Sequence, residues 1–170
     1  MNSRIELDPI IAECLRIEED AAHSAKGHFN SEGIWGAFHL WIGVGIALSA
    51  ALAGIGFFTS FPQYSGYLAF TAAVLSGVST ALNPEKLAAS HGVAGRKFNS
   101  LRNDVRTFRT IGISQAEIPV LRAKFEALSS KRNDLNEASP GIPWIAYALA
   151  KRAIGAGENE YAIDKQVNVP

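Results

Sequence analysis

Residues Gly33 to Pro84 read GIWGAFHLWIGVGIALSAALAGIGFFTSFPQYSGYLAFTAAVLSGVSTALNP, and no Lys, Arg, Asp or Glu interrupts them. A helix rising 1.5 Å per residue needs about 20 predominantly apolar residues to cross a hydrocarbon core of about 30 Å, so this stretch is long enough to cross twice. The natural break is Thr59-Ser60-Phe61-Pro62-Gln63-Tyr64-Ser65-Gly66, where Pro62 removes a backbone donor and polar and small residues favour a turn. The expected passes run near Ile34 to Phe58 and Tyr64 to Leu82. Phe57, Phe58, Phe61, Tyr64 and Tyr67 gather at the turn, and Trp35 and Trp41 toward the other end, where headgroups would lie.

Small residues recur in rows along both passes. Gly43, Ala47 and Ala51, with Ala50 and Gly54, mark the first, and Ala73, Gly77 and Ala81 the second. Such rows let helix backbones approach closely in lipid, where packing drives association. The second pass also carries Ser76, Ser79 and Asn83 at spacings of three and four, a weakly polar stripe. Two readings stand: the stripe faces a pore, or its hydroxyls bond the preceding turn's carbonyls and only assist packing. Two helices enclose no lumen, so a pore requires several copies.

Orientation follows from basic residues, which resist translocation. The turn has none, whereas Lys26 precedes the first pass and Lys86, Arg96, Lys97 and Arg102 follow the second. Both termini are expected to be cytoplasmic.

Before the hairpin, Asp8-Pro9 reads as an N-cap and first helical residue. The helix it opens is acidic, with Ile11, Leu15 and Ala22 making only a thin apolar stripe that Glu18 interrupts. His23 and His28 stand five apart, a poor spacing for shared metal ligation.

After the hairpin, Leu87, His91, Ala94, Phe98, Leu101, Val105 and Phe108 follow one another at four-three spacing, a seam for another helix and a candidate oligomer contact. Ser114-Gln115-Ala116-Glu117 resembles a capping box, and Ile118, Leu121, Phe125 and Leu128 resume the spacing, so two antiparallel helices are expected. His91 reads either as a pH switch or as a hydrogen-bonded packing residue. Arg96, Lys97, Arg102, Arg106 and Arg109 form a basic face for anionic headgroups or for water. Ser139-Pro140-Gly141-Ile142-Pro143 ends the pair. Trp144 to Ile154 then reads as a short helix, able to dock on the bundle or to rest at the membrane interface. Gly155-Ala156-Gly157-Glu158 stops it.

Composition narrows the function. The 170 residues carry 16 basic and 16 acidic side chains, a net charge of zero that argues against a nucleic-acid binder working through phosphate neutralisation. A single cysteine, Cys14, permits no internal disulfide and reads as a packing residue. Paired with His23 it would lack any orienting third group for thiol catalysis. No phosphate-binding glycine loop, zinc-spaced cluster or nucleophile elbow is present, so neither an enzyme nor a cofactor or metal is expected.

The run Asn83 to Arg106, NPEKLAASHGVAGRKFNSLRNDVR, following the hairpin, resembles the SLATT family. The pattern resides in Ala88, His91, Phe98, Leu101 and Arg102, and the similarity extends over roughly Asp8 to Ile154. That resemblance implies a membrane effector of a prokaryotic conflict system, which oligomerises and perturbs the inner membrane when a partner senses infection. Such effectors are often encoded beside second-messenger synthases, nucleotide-sensing domains or reverse transcriptases, so a sensor or second-messenger system protein is an implied partner.

The expectation is therefore an all-α membrane protein: an N-terminal cytoplasmic helix over 1–32, a two-pass transmembrane hairpin over 33–84, a cytoplasmic helical region over 85–155 and a flexible tail over 156–170. The expected function is a homo-oligomeric pore-forming or membrane-disrupting effector of antiviral abortive infection in the bacterial inner membrane. The alternative is a membrane-tethered adaptor whose cytoplasmic helices recruit a soluble partner.

Overall fold

The computed structural model describes residues 2–58, 62–114 and 117–158. Among them the chain is all-helical: α1 (Asn2–Phe57), α2 (Pro62–Leu82), α3 (Pro84–Thr110), a 3-10 turn (Gly112–Ser114), α4 (Ile118–Ala138) and α5 (Trp144–Gly155). Two helices are long and apolar enough to cross a membrane. The expected turn residues Thr59, Ser60 and Phe61, Gln115 and Ala116 of the expected capping box, and the tail from 159 onward lie outside the described residues.

Three boundaries differ from expectation. Pro9 lies inside α1, which starts at Asn2 rather than at an Asp8 cap. A proline this near a helix end forfeits a single backbone bond, and the turn before it survives. Nor does α1 stop where the charges stop: with no proline between Ser31 and Phe57, the change from polar to apolar composition leaves the backbone ladder intact. The capping box at Ser114 is also corrected. The residue preceding α4 is Glu117, extended and without a side-chain cap, and a proline in the first turn of α4 begins the helix instead.

The chain divides into two compact units, Met1–Ser31 with Ser90–Pro170, and Glu32–Ala89. In the first, α3 and α4 form the antiparallel pair, with Lys131 Nζ 2.8 Å from Asp104. The N-terminal part of α1 fills their groove. Its Cys14, Ile17, Ala21 and Ala25 meet Phe98, Leu101, Val105 and Phe108 of α3 and Leu121, Leu128 and Leu135 of α4 in one core. Each large side chain removed from water here contributes about 1.5–3 kcal/mol. Ion pairs rim the core: Arg109 binds Glu18 through Nε at 2.6 Å and Nη2 at 3.3 Å, and Arg132 reaches Asp20 at 2.8 Å. On α5, Ala146 and Ala150 are fully buried, and Asn30 Nδ2 donates to the Ala146 carbonyl at 3.2 Å. α5 ends as the glycines predict. Gly157 takes φ 82°, Glu158 N–H bonds the Ala153 carbonyl at 3.2 Å and Gly157 N–H that of Ile154 at 2.9 Å, a Schellman closure.

In the second unit, the apolar part of α1 and α2 form a hairpin. Ile42 and the half-buried Gly45, Ile46, Ser49, Ala53 and Gly56 make a stripe on α1, and Ser65, Leu68, Ala72, Leu75 and Ser79 make one on α2. Both repeat every three or four residues, the spacing of a helix–helix seam. Leu75 Cδ1 stands 3.4 Å from where a Cβ on Gly45 would lie, so glycine sets the close approach there.

Candidate functional site

The joint between α2 and α3 is a single residue. Asn83 has φ 45°, a left-handed conformation that asparagine tolerates better than most, and its Oδ1 accepts the Lys86 N–H at 3.3 Å. Pro84, buried behind it, opens α3 with its φ already suited to a helix. Of the expected polar stripe, Asn83 thus caps α3, Ser79 is half-buried in the hairpin seam, and Ser76 is exposed. Neighbouring hydroxyls turn inward on their own helix: Thr71 Oγ1 donates to the Tyr67 carbonyl and Thr80 Oγ1 to that of Ser76, each at 2.9 Å.

The small-residue rows lie outside that seam. Gly43, Ala47, Ala51 and Gly54 on α1, and Ala73, Gly77 and Ala81 on α2, are exposed, and a Cβ added at Gly43, Gly54 or Gly77 would touch nothing within 4 Å. Each helix thus presents a flank of small residues beside a flank of bulky ones. Trp41 is 70% exposed, Tyr67 74% and Phe70 71%, with Leu40, Leu48, Leu52 and Ile55 also open. The most apolar window of the second candidate span buries nothing.

The heptad seam of α3 is used within the chain. His91, Ala94, Phe98, Leu101, Val105 and Phe108 are buried, and Leu87 half-buried. From Phe98 onward the seam residues share one core with α1 and α4, so this face meets partners from its own chain. Four-three spacing marks a face that is covered; it does not say by which molecule.

At one end of the seam His91 meets His28 of α1. The two Nδ1 atoms are 2.9 Å apart, both residues are only 2% exposed, and the rings lie 5.2 Å apart at 41°. His28 also stacks on Phe98 at 5.5 Å and 13°. One Nδ1 must donate its hydrogen while the other accepts. Burial, and then the neighbouring His91, pushes His28 down to about 4; burial lowers His91 as well. Ser31 Oγ closes the adjacent turn by donating to the Gly27 carbonyl at 2.8 Å. The pair escapes a reading by spacing because its members sit on different helices.

Cys14 is wholly buried, and its thiol is pushed up to about 11 by burial, with Glu18 adding to the rise, Arg109 opposing it and Glu13 adding slightly. It stands about 13 Å along α1 from His23, too far for a nucleophile and its base. Among the described residues no group of three His, Cys, Asp or Glu side chains could hold a metal ion. A cavity of about 650 Å³ between α3 and α4 is lined mainly by apolar side chains including Phe108, Val120, Leu121 and Leu128. No family model, curated protein or solved structure matches the chain.

Proposed function

We propose that the chain is an integral protein of the bacterial inner membrane, its α1–α2 hairpin crossing the bilayer twice with both termini cytoplasmic, and that it assembles into a pore-forming or membrane-disrupting effector. The observation that carries this reading is the exposed apolar surface of the charge-free hairpin. A helix of a water-soluble protein turns its apolar stripe inward and a polar face outward. Here Leu40, Trp41, Leu48 and Ile55 on α1, and Tyr67, Phe70 and Val74 on α2, all face out. Lipid accepts such a surface, whereas water drives it to aggregate.

Assembly rests on the exposed rows of small residues. Because the α3 seam is occupied within the chain, copies meet through Gly43, Ala47, Ala51 and Gly54 or through Ala73, Gly77 and Ala81, where backbones can approach without displacing a side chain. A role in antiviral abortive infection, with release by a sensor or second-messenger partner, rests on the SLATT resemblance alone. One observation favours the adaptor reading: Thr71 and Thr80 spend their hydroxyls on their own helix, which leaves the second pass little polar surface with which to line a pore.

Release of ions and a small dye from vesicles holding the purified protein tests the proposal. Wild-type protein should release both, and Gly77→Leu, which meets open space on the hairpin and leaves its fold intact, should not. Inserted wild-type protein that releases nothing favours the adaptor, and an adaptor keeps its activity when an unrelated two-pass anchor replaces the hairpin.

A further inference from the structure

Within the first unit, the N-terminal part of α1, the C-terminal part of α4 and α5 border a crevice of about 300 Å³. Its polar walls follow from helical spacing. Asp20, His23 and Ser24 stand three and four residues apart on α1, and Arg132 and Asn136 four apart on α4, so each set shares one face. Tyr147 of α5 completes the wall. Ala21 and Phe98, at most 2% exposed, make the floor, whereas Asp20, Asn136 and Tyr147 are exposed at the mouth.

Two nitrogens on these walls, His23 Nδ1 and Arg132 Nε, are closed off from water and have no hydrogen-bond partner among the described residues. Folded proteins pair nearly all such atoms. Arg132 directs Nη2 at Asp20 Oδ2, 2.8 Å away, and leaves its Nε–H without an acceptor. A modest rotation of either side chain turns its nitrogen toward the cavity that both line.

The chemistry of these groups says what would satisfy them. Arg132 Nε–H only donates, and His23 Nδ1 donates in the tautomer that places its hydrogen there. A carboxylate offers two oxygens to two such donors. Asp20 on the same wall repels a bare anion, and its Oδ1 is left for a cation. The two charged groups, Arg132 and Asp20, sum to zero, so an ion of either sign leaves one of them facing its like. A molecule with an ammonium group one carbon from its carboxylate matches both. The volume suits so small a guest, since ligand pockets begin at about 300 Å³.

We infer that the crevice binds a free α-amino acid, its carboxylate on Arg132 and His23, its ammonium on Asp20 and its side chain over Phe98 and Ile142. The site lies wholly within the bundle and stands or falls apart from the membrane reading.

Thermal unfolding of the full-length protein in detergent tests the inference. Each standard amino acid is added in turn, and any that responds is compared with the amine lacking its carboxylate and the acid lacking its ammonium. At least one amino acid should raise the melting temperature in a saturable way, and neither half should. Calorimetric titration should then show binding weakened about 10-fold or more by Arg132→Gln and by Asp20→Asn. Both variants also lose an ion pair. Lys131→Gln, which breaks the pair with Asp104 elsewhere on α4, is therefore the matched control and should bind as the original does. Ser24→Leu, which keeps the Arg132–Asp20 pair and fills the crevice, should abolish the response. The inference is overturned if no amino acid raises the melting temperature, if the amine or the acid alone works as well as the zwitterion, or if Ser24→Leu or Arg132→Gln binds like the original.

Discussion

His28 and His91 face each other across α1 and α3 with their Nδ1 atoms 2.9 Å apart, and the contact holds only while at least one ring is neutral. Double protonation sets two N–H donors and two positive charges against each other inside a core. Both groups are depressed in the folded protein, His28 to about 4 from the usual 6.5. The unfolded chain thus binds more protons between these values, so the stabilisation is complete above about pH 6.5 and is lost as pH falls through about 4. Thermal unfolding should show the bundle losing on the order of 3 kcal/mol over that window. A flat stability profile between pH 7 and pH 4 would contradict the neutral pair.

Removing one histidine should cost more than removing both. His91→Leu leaves His28 with an unpaired buried nitrogen, at about 1–3 kcal/mol, whereas His28→Leu with His91→Leu should recover much of that loss. Unfolding of both single variants and the double variant measures the coupling, and simple additivity would show that the hydrogen bond carries no weight.

Leu101 distinguishes an intrachain seam from one between copies. It is wholly buried among α1, α3 and α4 residues, so Leu101→Ala should lower stability by about 2–5 kcal/mol, equally at every protein concentration in detergent. A loss that disappears as concentration rises would indicate that another copy covers the seam.

Asn83→Val should destabilise the joint between α2 and α3, because a β-branched residue resists φ 45° and cannot cap Lys86 N–H. Asn83→Gly keeps the conformation and loses only the cap, so it should cost a few tenths of a kcal/mol. Equal melting temperatures for the two variants would refute the strain argument.

Cys14 should resist alkylation in the folded protein at pH 8. Raising a thiol from 9 to about 11 reduces its thiolate about 100-fold, and burial blocks access as well. Rapid labelling by iodoacetamide without denaturant would show that the α1 packing opens readily.

The helical class was legible because the hairpin is long and free of charge, and because Pro, Gly and Asn punctuate the chain at Pro62, Asn83-Pro84 and Ser139 to Pro143. The face of α3 that is buried was also legible from its four-three spacing. Its covering was not, since periodicity carries no information about the partner. In the hairpin the reason is different. Almost every residue there is apolar, so no amphipathic pattern separates the contact stripe Ile42, Gly45, Ile46, Ser49 and Ala53 from the outward row Gly43, Ala47, Ala51 and Gly54. The histidine pair was hidden for a third reason, because 63 residues separate its members.

The central claim is that the hairpin crosses the bilayer twice, and labelling of single cysteines tests it directly. In a Cys14→Ser background, Gln63→Cys stands at the start of α2 and Asn136→Cys on the exposed surface of α4. A membrane-impermeant maleimide applied to cells with a permeabilised outer membrane and an intact inner one should label Gln63→Cys at once and Asn136→Cys only after the inner membrane is opened, with the protein remaining in membranes washed with alkaline carbonate. Labelling of both positions from the same side, or extraction by carbonate, would contradict it.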